Sequence, residues 1–161
     1  MRDIAARPGA DIRYPQRELM KFLDEAFDRA CSRYSGSNFD QLDEADKILV
    51  TIWGLEGEVN NGGFDQYYFN SSGDLAFHAP VALRNIGAHQ MAQIADEANK
   101  LFGPNGPARN PDEREAQLLA IASNGSEAHR WDELTRAFQS YPDDISALLA
   151  AFIEAGSHAP E

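Results

Sequence analysis

Cysteine and long apolar runs are both scarce in this sequence of 161 residues. The single cysteine, Cys31, excludes an internal disulfide bond and favours a reducing compartment. The first 15 residues lack the apolar core of a secretion signal, and no stretch approaches the roughly 18 apolar residues of a membrane helix. We therefore expect a cytoplasmic protein without a membrane-spanning segment.

Basic residues are rare in the middle of the chain. Residues 34–83 hold eight acidic side chains and one basic side chain, Lys47, so this segment carries a charge of -7 out of the formal net charge of -12. A field of this sign repels nucleic acids and anionic membranes and attracts basic protein surfaces. We therefore expect neither direct nucleic-acid binding nor membrane binding, and we expect a basic protein surface as the partner.

Catalytic and cofactor-binding motifs are also missing. The four histidines do not pair at helical spacing, and the Cys-x-x-Cys and His-Glu-x-x-His patterns of metal sites do not occur. The glycine patterns of phosphate and dinucleotide loops are absent as well. The sequence therefore predicts no catalytic residue, metal or cofactor, and a binding protein is expected rather than an enzyme.

Apolar residues recur at helical spacing along most of the chain, and no segment alternates convincingly at period two. One predicted helix begins at Pro15, and a second spans residues 40–59 with Trp53 on its buried stripe. A helical stretch over residues 78–103 has a weak point at Gly87. Another helix follows a cap at Asn110, and two more span residues 126–140 and 142–155. We predict an all-α fold, a compact bundle of six to eight helices. It forms a single domain over residues 15–156, between a loose N-terminal arm (1–14) and a tail (157–161).

The stretch EVNNGGFDQYYFN, residues 58–70, combines asparagines, glycines and aromatics with no Lys or Arg. Asparagine and glycine accept positive φ, so residues 60–63 are predicted to end one helix, reverse the chain and start the next. Asp65 and Gln66 would then lie in the first turn of the new helix, opposing its dipole and reaching back to free amides. A second interpretation is a polar pocket for a small ligand or substrate around Glu58, Asn61, Asp65 and His78.

The string EVNNGGFDQYYFNSSGD, followed by ALRNIGAHQMAQIADEANKLFG, resembles a bacterial family of acidic DNA-mimic proteins over roughly residues 45–155. The residues that carry the family motif are Glu58, Asn60, Asn61, Gly62, Gly63, Phe64, Asp65, Gln66, Tyr67 and Asn70. The resemblance implies a mainly helical protein that forms a homodimer. It also implies surface carboxylates that imitate duplex phosphates and occupy the DNA-binding face of a transcription factor.

Acidic residues before the motif have the spacing that such mimicry requires. Carboxylates three or four positions apart on a helix lie roughly 5–6 Å apart, which is comparable with neighbouring phosphates on one strand. The predicted partner-binding residues, all expected to point outward, are Asp40, Asp43, Glu44 and Asp46. An immunity-type factor that neutralises a basic toxin would use the same surface, so the sequence leaves that alternative open.

Overall fold

The computed structural model describes residues 15–157, and over this range the protein is an all-α bundle without strands. Its helices are α1 (Gln16–Ser35), α2 (Glu44–Phe69), α3 (Ala79–Asn85), α4 (His89–Lys100), α5 (Pro111–Ser123), α6 (Gly125–Gln139) and α7 (Ile145–Ser157), with short 3-10 helices at Phe39–Gln41 and Ser71–Leu75. The predicted fold class is confirmed. The proposed arm (1–14) and residues 158–161 of the proposed tail lie outside the described range.

Helix α2 lies at the centre of the bundle and packs against α1, α3, α5 and α6. Ile52, Leu55 and Val59 on its inner face have no exposed surface. The prediction that Trp53 lies on this buried stripe is wrong, because its side chain is 53% exposed. At 100° per residue Trp53 falls on the same side as Gly57, which also faces solvent.

Helix α1 covers one side of α2 with an apolar stripe and one ion pair. The buried residues of the stripe are Leu23, Ala26, Phe27 and Ala30. At its C-terminal end the Arg33 guanidinium contacts both oxygens of Asp46 on α2, at 2.6 and 2.7 Å. Helix α1 also packs against α7, so the C-terminal end of the described chain is connected to the central helix through α1.

Local sequence signals explain where several helices begin and end. Helix α2 begins at Glu44 rather than residue 40, because Asp43 caps it by accepting a hydrogen bond from the Asp46 amide at 2.8 Å. The weak point at Gly87 is a complete break between α3 and α4, with φ at +88°. The predicted cap at Asn110 is confirmed, since its side-chain oxygen accepts from the first amides of α5 at 2.9 and 3.1 Å.

Candidate functional site

The motif of residues 58–70 folds α2 back on itself. The side-chain nitrogen of Asn70, Nδ2, lies 2.9 Å from a carboxylate oxygen of Glu58. A straight helix would separate the two residues by about 18 Å along its axis. The backbone leaves helical geometry at Gly62 and Gly63 and resumes it at once. The predicted reversal is thus present, and it joins an N-terminal half of α2 (residues 44–61) to a C-terminal half (residues 64–69) without a loop.

The two glycines at the reversal are needed for different reasons. Gly63 has φ +77° and ψ −175°, a backbone conformation that is open almost only to glycine. Gly62 has a negative φ, but a Cβ there would collide with the side chain of Gln66, whose own Cβ is 2.8 Å away. The pair therefore supplies both the turn and the space in which Gln66 folds over it.

A polar network fastens the two halves of α2 together. One Glu58 oxygen accepts hydrogen bonds from Gln66 Nε2 at 2.6 Å and from Asn70 Nδ2 at 2.9 Å. The Gln66 side-chain oxygen accepts from Asn61 Nδ2 at 3.2 Å. Four motif residues are thus bonded to each other across the turn, and the expectation that Gln66 reaches back to free backbone amides is wrong.

The other side of the turn is bonded to α6. The Trp131 indole donates to Asp65 at 2.7 Å, and the backbone amide of Phe64 donates to the Thr135 hydroxyl at 3.3 Å. Asp65 therefore serves as the acceptor for an indole N–H from α6, while burial raises the pKa of its carboxyl. The Phe64 ring is fully buried and contacts Trp131 and Phe138 at centroid distances of 5.9 and 5.6 Å.

A third connection runs from Asn60 to the turn between α6 and α7. Asn60 Nδ2 donates to the Tyr141 hydroxyl at 2.6 Å, and that hydroxyl donates to Glu56 at 2.8 Å. Burial raises the Glu56 pKa, and burial together with the nearby Glu56 charge raises the pKa of Tyr141 to about 12. Tyr141 is the non-glycine residue with positive φ, +49°, within residues 15–157, so the backbone is strained where the contact is made.

The two motif tyrosines point into the core. The Tyr68 hydroxyl donates to Asn99 at 2.6 Å, and Arg114 Nε donates to the backbone oxygen of Tyr68 at 2.6 Å. The Tyr67 hydroxyl is buried without a hydrogen-bond partner in the described part of the chain, and burial raises its pKa. Arg114 is 1% exposed and also pairs with Asp74 at 2.8 Å, so a charged residue of α5 holds the end of α2.

The four residues of the predicted polar pocket belong to three separate sets of contacts. Glu58 and Asn61 belong to the network across the turn, Asp65 bonds Trp131, and the His78 ring lies against Phe39 at 4.7 Å. Two surface clefts of about 230 and 300 Å³ have other linings. Within residues 15–157, no group of three or more His, Cys, Asp or Glu side chains has the arrangement of a metal site, and no helix is long and apolar enough to cross a membrane.

Three of the four predicted partner-binding carboxylates lie on the surface around the start of α2, with Asp40 in the preceding 3-10 helix rather than on α2 as predicted. Asp40, Asp43 and Glu44 are exposed, and Glu44 makes a 3.0 Å ion pair with Lys47. Asp46 is 4% exposed and is bonded to Arg33, so the expectation that it points outward is wrong. The physical reason is that α1 crosses α2 at Asp46, which a helical spacing pattern within α2 alone does not indicate.

Sequence reasoning missed three residues that hold the motif in place, namely Arg114, Trp131 and Tyr141. Arg114 has a signal, because it stands at helical spacing with the buried Leu118 and Ile121. The apolar period of α6 indicates burial of Trp131 but not the acceptor of its N–H. For Tyr141 the local sequence gives no such signal.

The sequence profile of the DMP19-like protein family matches residues 40–156, which is most of the chain, so the protein belongs to this family. The match begins just before α2 and runs into α7, and it includes the whole reversal and its contacts with α6. The resemblance to DNA-mimic proteins is thereby confirmed at the level of the family. No curated protein and no solved structure matches the chain.

Proposed function

We propose that this protein is a non-enzymatic acidic binding module that occupies the DNA-binding face of a basic protein such as a transcription factor. Membership of the DMP19-like family supports the assignment. So does the charge, because residues 15–157 carry the full net charge of -12. A partner with a DNA-binding face offers the opposite sign over a comparable surface.

The observation that carries the proposal is the row of exposed carboxylates at Asp40, Asp43 and Glu44. They lie at the edge of a segment in which Lys47 is the single basic residue. Other acids of this segment are engaged inside the protein, as Glu58 and Asp46 illustrate. The three surface carboxylates are therefore the exposed part of this acidity, and their side-chain contacts within residues 15–157 are local ones, the cap from Asp43 to the Asp46 amide and the ion pair of Glu44 with Lys47.

The test begins with the immobilised full-length protein and a lysate of the source cells, with the retained proteins identified by mass spectrometry. We expect the partner to be eluted by about 0.5 M salt, since at this ionic strength salt screens the attraction between exposed charges beyond a few ångströms. The purified partner is then titrated with the protein in the presence of duplex DNA that carries the partner's own site. DNA mimicry predicts mutually exclusive binding.

Two matched variants locate the surface. The first replaces the row by Asp40→Asn, Asp43→Asn and Glu44→Gln, and the second replaces exposed acids of α1 by Asp24→Asn, Glu25→Gln and Asp28→Asn. Both remove three negative charges, so a difference between them reports position rather than net charge. We expect the first variant to weaken binding at least tenfold more than the second.

A partner that binds the protein and its DNA simultaneously would exclude DNA mimicry. A basic partner without any DNA-binding activity would favour the immunity-type alternative. Equal losses in the two triple variants would show that the overall field matters and that the row at the start of α2 does not.

A further inference from the structure

The chain contains three Asn-Gly pairs, at 61–62, 105–106 and 124–125. An asparagine that precedes glycine can lose its side-chain amide spontaneously, because the missing Cβ leaves the next backbone nitrogen open to approach. The three pairs are equivalent in this respect. Differences in their reactivity must therefore come from the fold.

The reaction needs only water and a mild base. The backbone nitrogen of the glycine, having lost its proton, attacks the asparagine Cγ, a new N–Cγ bond forms, and the Cγ–Nδ2 bond breaks with release of ammonia. Water then opens the cyclic imide at one of its two carbonyl carbons and gives aspartate or isoaspartate. The asparagine side chain must be free to rotate, and the glycine nitrogen must be accessible.

The fold restrains the first pair. Asn61 lies in α2, and its side-chain nitrogen donates to Gln66 at 3.2 Å. Ring closure there would require the end of the helical half to open and the network with Glu58 to break. A local opening of this kind costs free energy, so only a small fraction of the molecules is open at any time. The deamidation rate is reduced to that fraction of its unrestrained value.

The third pair is restrained by capping. The Asn124 side-chain oxygen accepts hydrogen bonds from the Ser126 amide at 3.2 Å and the Ser126 hydroxyl at 3.0 Å. These bonds hold the carboxamide over the first turn of α6. Rotation of Asn124 toward the Gly125 nitrogen would remove the cap from that helix.

The second pair lacks such restraints. Asn105 is exposed, and its side chain makes no hydrogen bond to any residue in the range 15–157. Gly106 has φ +70°, and its amide donates to Gly103 at 3.1 Å across a surface turn. The Gly106 carbonyl also accepts from Gln117 Nε2 at 3.3 Å, but that bond does not involve the attacking nitrogen, which has to give up only the bond to Gly103.

We infer that Asn105 is a site of spontaneous deamidation in the folded protein, while Asn61 and Asn124 are protected. The new carboxylate would line the cleft of about 230 Å³ between α3, α4 and the following loop, whose charged lining residues are Arg84, Lys100 and Asp96. Residues 75–111 hold only two other acids, Asp96 and Glu97. The modification thus changes the charge of the least acidic part of the molecule.

The test is peptide mapping of the full chain after incubation at mildly alkaline pH, with trypsin digestion at mildly acidic pH, where the reaction is slow. The three pairs fall in separate tryptic peptides, at residues 48–84, 101–109 and 115–130. In the folded protein, residue 105 is expected to convert at least about tenfold faster than residue 61 or 124, the factor that about 1.4 kcal/mol of opening free energy supplies. Incubation in urea is expected to bring the three rates together.

An Asn105→Ser variant serves as the control, and it should lose the early acidic species on isoelectric focusing while the other two peptides are unchanged. Conversion of residue 61 or 124 at the rate of residue 105 in the folded chain would overturn the inference. So would an intact Asn105 in the folded protein together with three converting sites in urea.

Discussion

Glu58 in α2 and Asn70, which caps the C-terminal end of that helix, are twelve residues apart in sequence, and their side chains are 2.9 Å apart. The helix can bring them together only because the chain reverses at Gly62 and Gly63. The motif of residues 58–70 is therefore an internal helical hairpin that is held together by its own hydrogen-bond network. The proposed partner surface is therefore sought in the exposed carboxylates before the motif rather than in the motif itself.

Removal of the Glu58 carboxylate should weaken the hairpin. In Glu58→Ala the side chains of Gln66 and Asn70 lose their common acceptor, and we expect the free energy of unfolding to fall by about 1–2 kcal/mol. Urea denaturation followed by circular dichroism gives the value. Glu115→Ala, which removes an exposed carboxylate from α5, is the control and should change stability by less than about 0.5 kcal/mol.

Two glycine substitutions in α2 should change the free energy of unfolding in opposite directions. Gly63→Ala forces alanine into φ +77° with its Cβ 3.1 Å from Thr135, and a loss of about 1–3 kcal/mol is expected. Gly57→Ala adds a methyl group in open space within a helix and should gain about 0.5–1 kcal/mol. Thermal unfolding of both variants measures the difference, and a stable Gly63→Ala protein would contradict the glycine-only backbone at that position.

These positions also show how far the sequence alone leads. The Asn-Gly run correctly predicts the reversal, since Gly63 takes a positive φ that favours glycine, but Asn60 and Asn61 stay helical and contribute through their side chains instead. It does not predict that Asp65 would bond Trp131 or that Asp46 would be buried, because both depend on helices distant in sequence. Local periodicity defines helices and their apolar faces, whereas the partners of polar side chains are defined by how helices cross.

Glu56 should make stability depend on pH. Burial raises its pKa in the folded state, so the folded form favours the protonated carboxyl, and this contribution is lost as pH rises from the ordinary carboxyl range through the raised value. Glu56→Gln keeps an oxygen acceptor for Tyr141 and removes the buried charge. We therefore expect this variant to gain stability relative to the parent as pH increases from about 4 to 7.

Measuring urea midpoints across that pH range, with Glu115→Gln as the exposed control, tests the expectation. A difference between parent and Glu56→Gln that stays constant with pH would mean that Glu56 titrates alike in the folded and unfolded chains.

Arg114 should not be replaceable by lysine. Its guanidinium contacts the Tyr68 backbone, the Ala108 backbone and Asp74 at 2.6, 3.0 and 2.8 Å, and an ammonium group cannot reach all three. For Arg114→Lys we expect a loss of about 3 kcal/mol or more in the free energy of unfolding. The exposed Arg136 on α6 provides the matched control, Arg136→Lys, which should unfold at the same urea concentration as the parent.

Substitution can separate the cap that Asp43 provides from the partner-binding role proposed for its charge. Asparagine keeps the cap on α2 and removes the charge, whereas alanine removes both. Asp43→Ala should therefore cost about 1 kcal/mol of stability more than Asp43→Asn, and both should weaken partner binding to the same degree. A binding defect confined to Asp43→Ala would assign the effect to the helix terminus instead of the charge.

The ion pair between Arg33 and Asp46 joins a helix outside the matched family region to one inside it. If a protein expressed from residue 40 onward folds, it does so with Asp46 and the apolar side of α2 newly open to water. The family region begins at residue 40, whereas the folded unit also includes α1. Experiments that dissect the molecule should retain α1 even when only the family region is of interest.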